Sequence, residues 1–183
     1  MKTTLSILLL ILLLSCSNNN PRVAVLGDSL VVNIASRLNR EYPYMWVDDF
    51  AIASQTSKQI VDRVHPANTS YFDILYPFKY DVIIVSMGMN DFGIETVFQF
   101  FRLHHKAGST QIIYLSHWNF KDYKHWTKKW GRDIKNLDKE ISQISGVIYI
   151  DLYPVVKKGM LSDGLHLNSK GVKAVANYLR RKI

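Results

Sequence analysis

The chain has 183 residues, 48% hydrophobic and 21% charged, with 23 Lys+Arg against 15 Asp+Glu for a formal charge of +8. This length suits one domain of ordinary size, and the composition excludes the polar, weakly hydrophobic profile of a disordered chain. A single cysteine excludes an intramolecular disulfide and a thiolate metal site, and the basic balance comes without any nucleic-acid-binding motif, so nucleic acid is not an expected partner.

In chain order, Lys2 is followed by the apolar run Leu5 to Leu14. Its length fits the core of an export signal and falls well short of the roughly 20 residues that span a bilayer. Residues 1–15 are expected to be that signal. The run ends in Leu13-Leu14-Ser15-Cys16, which resembles the lipobox of bacterial lipoproteins, although Leu14 is bulkier than that pattern usually carries. The resemblance implies that Cys16 is acylated and becomes the N-terminus, with residues 16–21 as lipidated cysteine and tether. Several acyl chains hold a protein at a membrane where one is marginal. Ser17 is not the Asp that retains many such proteins at an inner membrane, so an outer-membrane destination is expected in a host with two membranes. An ordinary signal peptide with an incidental Cys16 is the alternative.

From residue 22 onward, short β-branched runs alternate with segments of helical period, as in α/β domains with a parallel sheet. Strands are predicted at Arg22–Leu26, Met45–Ala51, Val82–Ser86, Gln111–Ser116 and Val147–Asp151. Helices are predicted at Leu30–Arg40, Thr56–Val64, about Ile94–Ala107, about Trp126–Ile144, and from Ser169, read as an N-cap, to about Arg181. The expected fold is a three-layer α/β/α sandwich on a five-stranded parallel sheet of flavodoxin-like order, one domain over residues 22–183.

Ligands of such sheets bind beyond the carboxyl ends of the strands. Four segments there carry chemistry. Ser29, in Gly27-Asp28-Ser29-Leu30, is expected at a strand-to-helix turn, with its hydroxyl exposed and its N–H at the positive end of the helix. His166 can take the hydroxyl proton and return it to a leaving group, and Asp163, three residues earlier, can fix the imidazole tautomer. Asn90, after the central strand, can donate to an oxyanion. Each segment alone is more often a turn or a helix cap; the combination is not ordinary.

Gly27-Asp28-Ser29-Leu30, Gly88-Met89-Asn90-Asp91 and Asp163-Gly164-Leu165-His166 together resemble the GDSL or SGNH hydrolase family, in its motif order and across the whole mature domain. The resemblance implies that Ser29 is a nucleophile, His166 its general base, Asp163 the orienter and Asn90 an oxyanion donor. The family's second-block glycine, a backbone N–H donor, falls on Ser54. Only Pro lacks that N–H, so the donor persists, but Ser enters the left-handed region less readily than Gly.

The expected activity is cleavage of carboxylic esters of lipids, carbohydrates or thioesters, with acyl transfer or a non-catalytic envelope-binding domain as alternatives. No cofactor or metal is expected. His104, His105 and His125 lack ligand spacing with carboxylates and are read as surface histidines. The aromatic and basic stretch from His117 to Trp130 is open to three readings: it lines the substrate pocket, faces lipid headgroups, or packs Trp126 and Trp130 on the core. A monomer is favoured.

Overall fold

The computed structural model describes residues 20–64, 80–91, 93–105 and 110–183. The export signal, Cys16 and most of the tether lie outside the described residues, as do the side chains of His104 and His105.

Five parallel strands form the sheet: β1 (Arg22–Gly27), β2 (Trp46–Ala51), β3 (Val82–Ser86), β4 (Gln111–Leu115) and β5 (Val147–Ile150), in the order β2-β1-β3-β4-β5. The helices are α1 (Ile34–Glu41), α2 (Ser57–Val64), α3 (Ile94–His105), α4 (Lys128–Ile141) and α5 (Ser169–Leu179). This is the expected flavodoxin-like order.

Strand periodicity divides the core between two faces. Val23 and Val25 of β1, with Ile84 and Ile113, pack against Ile34 and Leu38 of α1 and Val175 and Leu179 of α5. Their neighbours Ala24 and Leu26, with Ile83 and Tyr114, meet Ile60 of α2, Phe100 of α3 and Leu137 of α4. Covered on both faces, β3 is buried at every residue, which explains its uninterrupted apolar sequence. Each fully buried Val, Leu or Ile here is worth about 1.5–3 kcal/mol.

Among the expected helix starts, those of α1 and α5 shift for local reasons. Residues 28–33 form successive turns, closed by Val31 N–H to Asp28 O at 3.3 Å and Ile34 N–H to Val31 O at 3.0 Å. Asn33 then adopts a left-handed φ of 77°, so α1 begins at Ile34 rather than Leu30. The N-cap of α5 is Asn168, not Ser169, because its side chain accepts from the N–H groups of Lys170 and Gly171. At α2, Thr56 and Gln59 form a reciprocal capping box: Thr56 N–H donates to Gln59 Oε1 at 2.9 Å and Gln59 N–H to Thr56 Oγ1 at 3.2 Å.

Candidate active site

The carboxyl end of β1 delivers Ser29. Gly27 has no room for a side chain: a Cβ there would lie 2.4 Å from both Ser86 O and Val31 Cγ2. This close approach lets β1 turn sharply against β3. Asp28 is fully buried and its Oδ1 accepts the Leu30 N–H at 3.0 Å, while Ser29 is half-buried beside it. Because α1 starts five residues later, the Ser29 N–H does not sit in the first turn of that helix, and the expected dipole contribution, which fades within one turn, is correspondingly reduced.

The segment Asp163–His166 is a tight turn held by one carboxylate. Asp163 Oδ1 accepts the backbone N–H groups of Leu165 at 3.0 Å and His166 at 2.8 Å, and its Oδ2 lies 2.7 Å from His166 Nδ1. Desolvation pushes the Asp163 pKa up, but the hydrogen bonds from the His166 backbone, the imidazole and Leu165, with the charge of His166, together outweigh it and hold the carboxyl at about 2. Gly164 adopts φ 84°, and a Cβ there would come within 2.7 Å of the Asp122 carbonyl, so this turn requires glycine. Trp118 anchors it from below, its indole N–H donating to Leu165 O at 2.9 Å. His166 Nε2 is then 3.0 Å from Ser29 Oγ, across 137 residues of sequence.

The Asp163 contact makes Nδ1 the protonated nitrogen, which leaves the Nε2 lone pair facing the serine hydroxyl. Such an arrangement can remove a proton from Ser29 and deliver it to a departing group.

Ser54 and Asn90 come from adjacent loops that are bonded together. Ser54 adopts a left-handed φ of 65°, the conformation that favours glycine. Asn90 Nδ2 donates one hydrogen bond to Gln55 O at 2.7 Å. An amide nitrogen has two N–H groups, so fixing one orients the other. Ser57 Oγ also donates to Asp91 Oδ2 at 2.7 Å, and Ile52 N–H donates to Gly27 O at 3.0 Å, tying the β2 loop to those after β3 and β1.

A second histidine–carboxylate pair joins the segment after β4 to α4, and sequence reasoning did not find it. His117, 2% exposed just after β4, has Nδ1 2.8 Å from Asp138 Oδ1 on α4, and its backbone N–H donates to Asp138 Oδ2 at 3.1 Å. Burial pulls the His117 pKa down, but Asp138, through charge and hydrogen bond, and the nearby Asp28 carboxylate hold it above the ordinary value. Asp28 is pushed up by burial, against the Leu30 N–H and the charges of His117 and His166, which pull it down, while Asp91 adds to the rise. His117 Nε2 and Asp28 Oδ2 are both buried without a hydrogen-bond partner among the described residues. The only hint in the sequence was the position of His117 at the head of the aromatic stretch.

Within that stretch the packing reading holds, and part of the stretch also lines a cavity. Trp126 and Trp130 are partly buried against the core, and Trp130 stacks on Phe120 with ring centroids 5.9 Å apart. Trp126 stands before the helix rather than in it, because Thr127 caps α4 by accepting the Trp130 N–H; it also lines a cavity with His117 and Trp118. Among the described residues, no group of three or more His, Cys, Asp or Glu side chains is placed to hold a metal ion.

No family model and no curated protein sequence matches the chain. Solved structures do. A lipase from a goat rumen metagenome is similar at TM-score 0.67 and 17% identity, covering 88% of this chain and 96% of its own. A GDSL-like lipase from Bacteroides thetaiotaomicron gives 0.66 and 16%, covering 89% and 87%. The C-terminal catalytic domain of a Streptococcus pneumoniae peptidoglycan O-acetyltransferase gives 0.64 and 15%, covering 88% and 91%. The likeness shows that the chain has the α/β fold of the SGNH hydrolases.

Proposed function

We propose that this SGNH-fold chain is a serine hydrolase that cleaves carboxylic esters through Ser29, His166 and Asp163. The observation that carries the reading is the continuous chain of contacts, 3.0 Å from Ser29 Oγ to His166 Nε2 and 2.7 Å from His166 Nδ1 to Asp163 Oδ2. In the reaction, His166 Nε2 takes the Ser29 proton as Oγ attacks the acyl carbon. The oxyanion is stabilised by the Ser29 and Ser54 N–H groups and the second Asn90 N–H. His166 protonates the leaving alcohol, and water, activated by the same imidazole, releases the acid from acyl-Ser29.

The test is a panel of short-chain p-nitrophenyl esters together with a fluorophosphonate probe. Turnover and labelling at Ser29, both abolished in Ser29→Ala, are expected. A wild-type chain that neither turns over an ester nor takes the label would remove the reading. The likeness to an O-acetyltransferase catalytic domain supports a second reading, acyl transfer from the same acyl-serine to a sugar hydroxyl. A saccharide acceptor that captures the acyl group in competition with water would distinguish it.

The Leu13-Leu14-Ser15-Cys16 sequence supports export and membrane anchoring through an acylated Cys16. Wild-type chain should incorporate labelled palmitate and partition into detergent, and Cys16→Ala should do neither. Labelling that persists in Cys16→Ala would refute the anchor.

A further inference from the structure

We propose that the end of the domain where the strands begin, around Tyr44 and Trp46, lies on the anionic bilayer that holds Cys16, so that the active site faces away from that membrane. This orientation rests on the anchor proposed above.

All five strands are parallel, so the sheet has one end where they start and one where they stop. Ser29, Ser54 and Asn90 follow the ends of β1, β2 and β3. Pro21 precedes the start of β1, and its carbonyl accepts the Trp46 N–H at 3.0 Å. The tether therefore leaves the domain beside Trp46.

Trp46 is 63% exposed, more than any other large hydrophobic side chain among the described residues, and Tyr44 is 47% exposed. Protruding Trp and Tyr rings suit the headgroup layer of a bilayer, where one part of the ring is apolar and another wet. Cations surround them. The Arg22 guanidinium lies 5.9 Å from the Trp46 ring centroid. Arg180 lies 5.1 Å from that of Tyr42, whose ring is 6.1 Å from Tyr44. Arg181 and Lys182 follow, both exposed. Among the described residues none of these four cations forms an ion pair. Asp81 is the acid beside them, and it accepts the Arg22 N–H at 2.8 Å. Such a cluster is drawn to anionic lipid.

The opposite end also carries lysines after β4, and the tether decides between the two. The five residues from Cys16 to Pro21 span no more than about 18 Å when fully extended. The six residues of β1 alone span about 20 Å. A bilayer that holds Cys16 is thus within reach of Trp46 and out of reach of the face around Ser29. The exposed hydrophobics of that face, Ile52 and Tyr153, follow β2 and β5, the opposite edges of the sheet, and form no common patch.

The experiment uses the acylated chain in phosphatidylglycerol vesicles. Cys16 is the only cysteine, so once it is acylated an introduced one is the only free thiol. Tyr44→Cys and Tyr153→Cys are each labelled with a nitrobenzoxadiazole fluorophore, which brightens and shifts to the blue on leaving water. A several-fold gain at position 44 and none at 153 is expected. Changing Arg180, Arg181 and Lys182 together to Ala, or the lipid to phosphatidylcholine, should cut the gain at 44 several-fold while the acyl chains still float the protein with the vesicles. An equal gain at both positions, a gain at 153 alone, or a gain at 44 indifferent to both changes would overturn the proposal. A chain that floats while its label at 44 stays in water overturns it and leaves the anchor standing. A chain that takes no palmitate and does not float removes the anchor and the orientation together.

Discussion

The two histidine–carboxylate pairs of this protein use the same two side chains for opposite ends. His166 and Asp163 are three residues apart on a surface turn, with side chains 38% and 46% exposed. His117 and Asp138 are 21 residues apart on different elements, with His117 wholly enclosed and Asp138 at 15%. The exposed pair gains little stability from its charges, since solvent screens them; what it has is access, with Nε2 directed at Ser29 Oγ. The buried pair has no access and a large stake in remaining paired, because removing one member leaves a charge or a polar group stranded in the core. A histidine beside a carboxylate is thus poised for proton transfer only where its second nitrogen meets a reactive partner.

The largest expected effect follows from that contrast. His166→Ala should lower kcat/KM on a p-nitrophenyl ester by at least about four orders of magnitude, with a urea midpoint close to wild type, as for an ordinary surface substitution. Asp138→Ala should cost about 3–5 kcal/mol in urea unfolding. If His166→Ala proves as destabilising as Asp138→Ala, the functional division between the pairs is wrong. Next in size, Asn90→Ala should reduce kcat by about 10²–10³-fold, and an unchanged kcat would remove Asn90 from the oxyanion site.

The pH dependence of stability differs between the two carboxylates that stand beside Ser29 and His166. The folded pKa of Asp163 is depressed to about 2 from 3.8, so its contribution is present above 3.8 and disappears as pH falls through about 2. The stability gap between wild type and Asp163→Asn should therefore close over that range, and a gap that persists at the acid end would contradict it. The folded pKa of Asp28 is raised, mainly by burial, so its ionisation costs stability as pH rises above 3.8. Asp28→Asn keeps an oxygen for the Leu30 N–H and should gain on wild type as pH rises; urea unfolding at pH 4 and pH 8 reads this directly. The smallest effect is expected from Ser54→Gly. It relieves a left-handed non-glycine residue at φ 65° and should stabilise by up to about 1 kcal/mol in the same measurement.

Much of the fold could be read from the chain because strand and helix periods are local. The apolar run of β3, the alternation of faces along β1 and the segment order lie within short windows, and together they lead to one sheet order. The turn around Asp163 was equally legible, its partners being separated by three residues. Helix starts were less so: α1 begins late because Asn33 turns left-handed after a series of non-helical turns, and no residue pattern there announced it.

Sequence established which residues could do ester chemistry and that they stand beyond the strands of a parallel sheet, since residue type and period are properties of short segments. Only the folded chain decided that His166 Nε2 reaches Ser29 across 137 residues, that Asp28 is sealed beneath it, and that His117 pairs with Asp138 beside an aromatic, basic cavity. Those contacts depend on how the strands lie side by side and how α4 packs on the sheet, and distance in the chain carries no information about either.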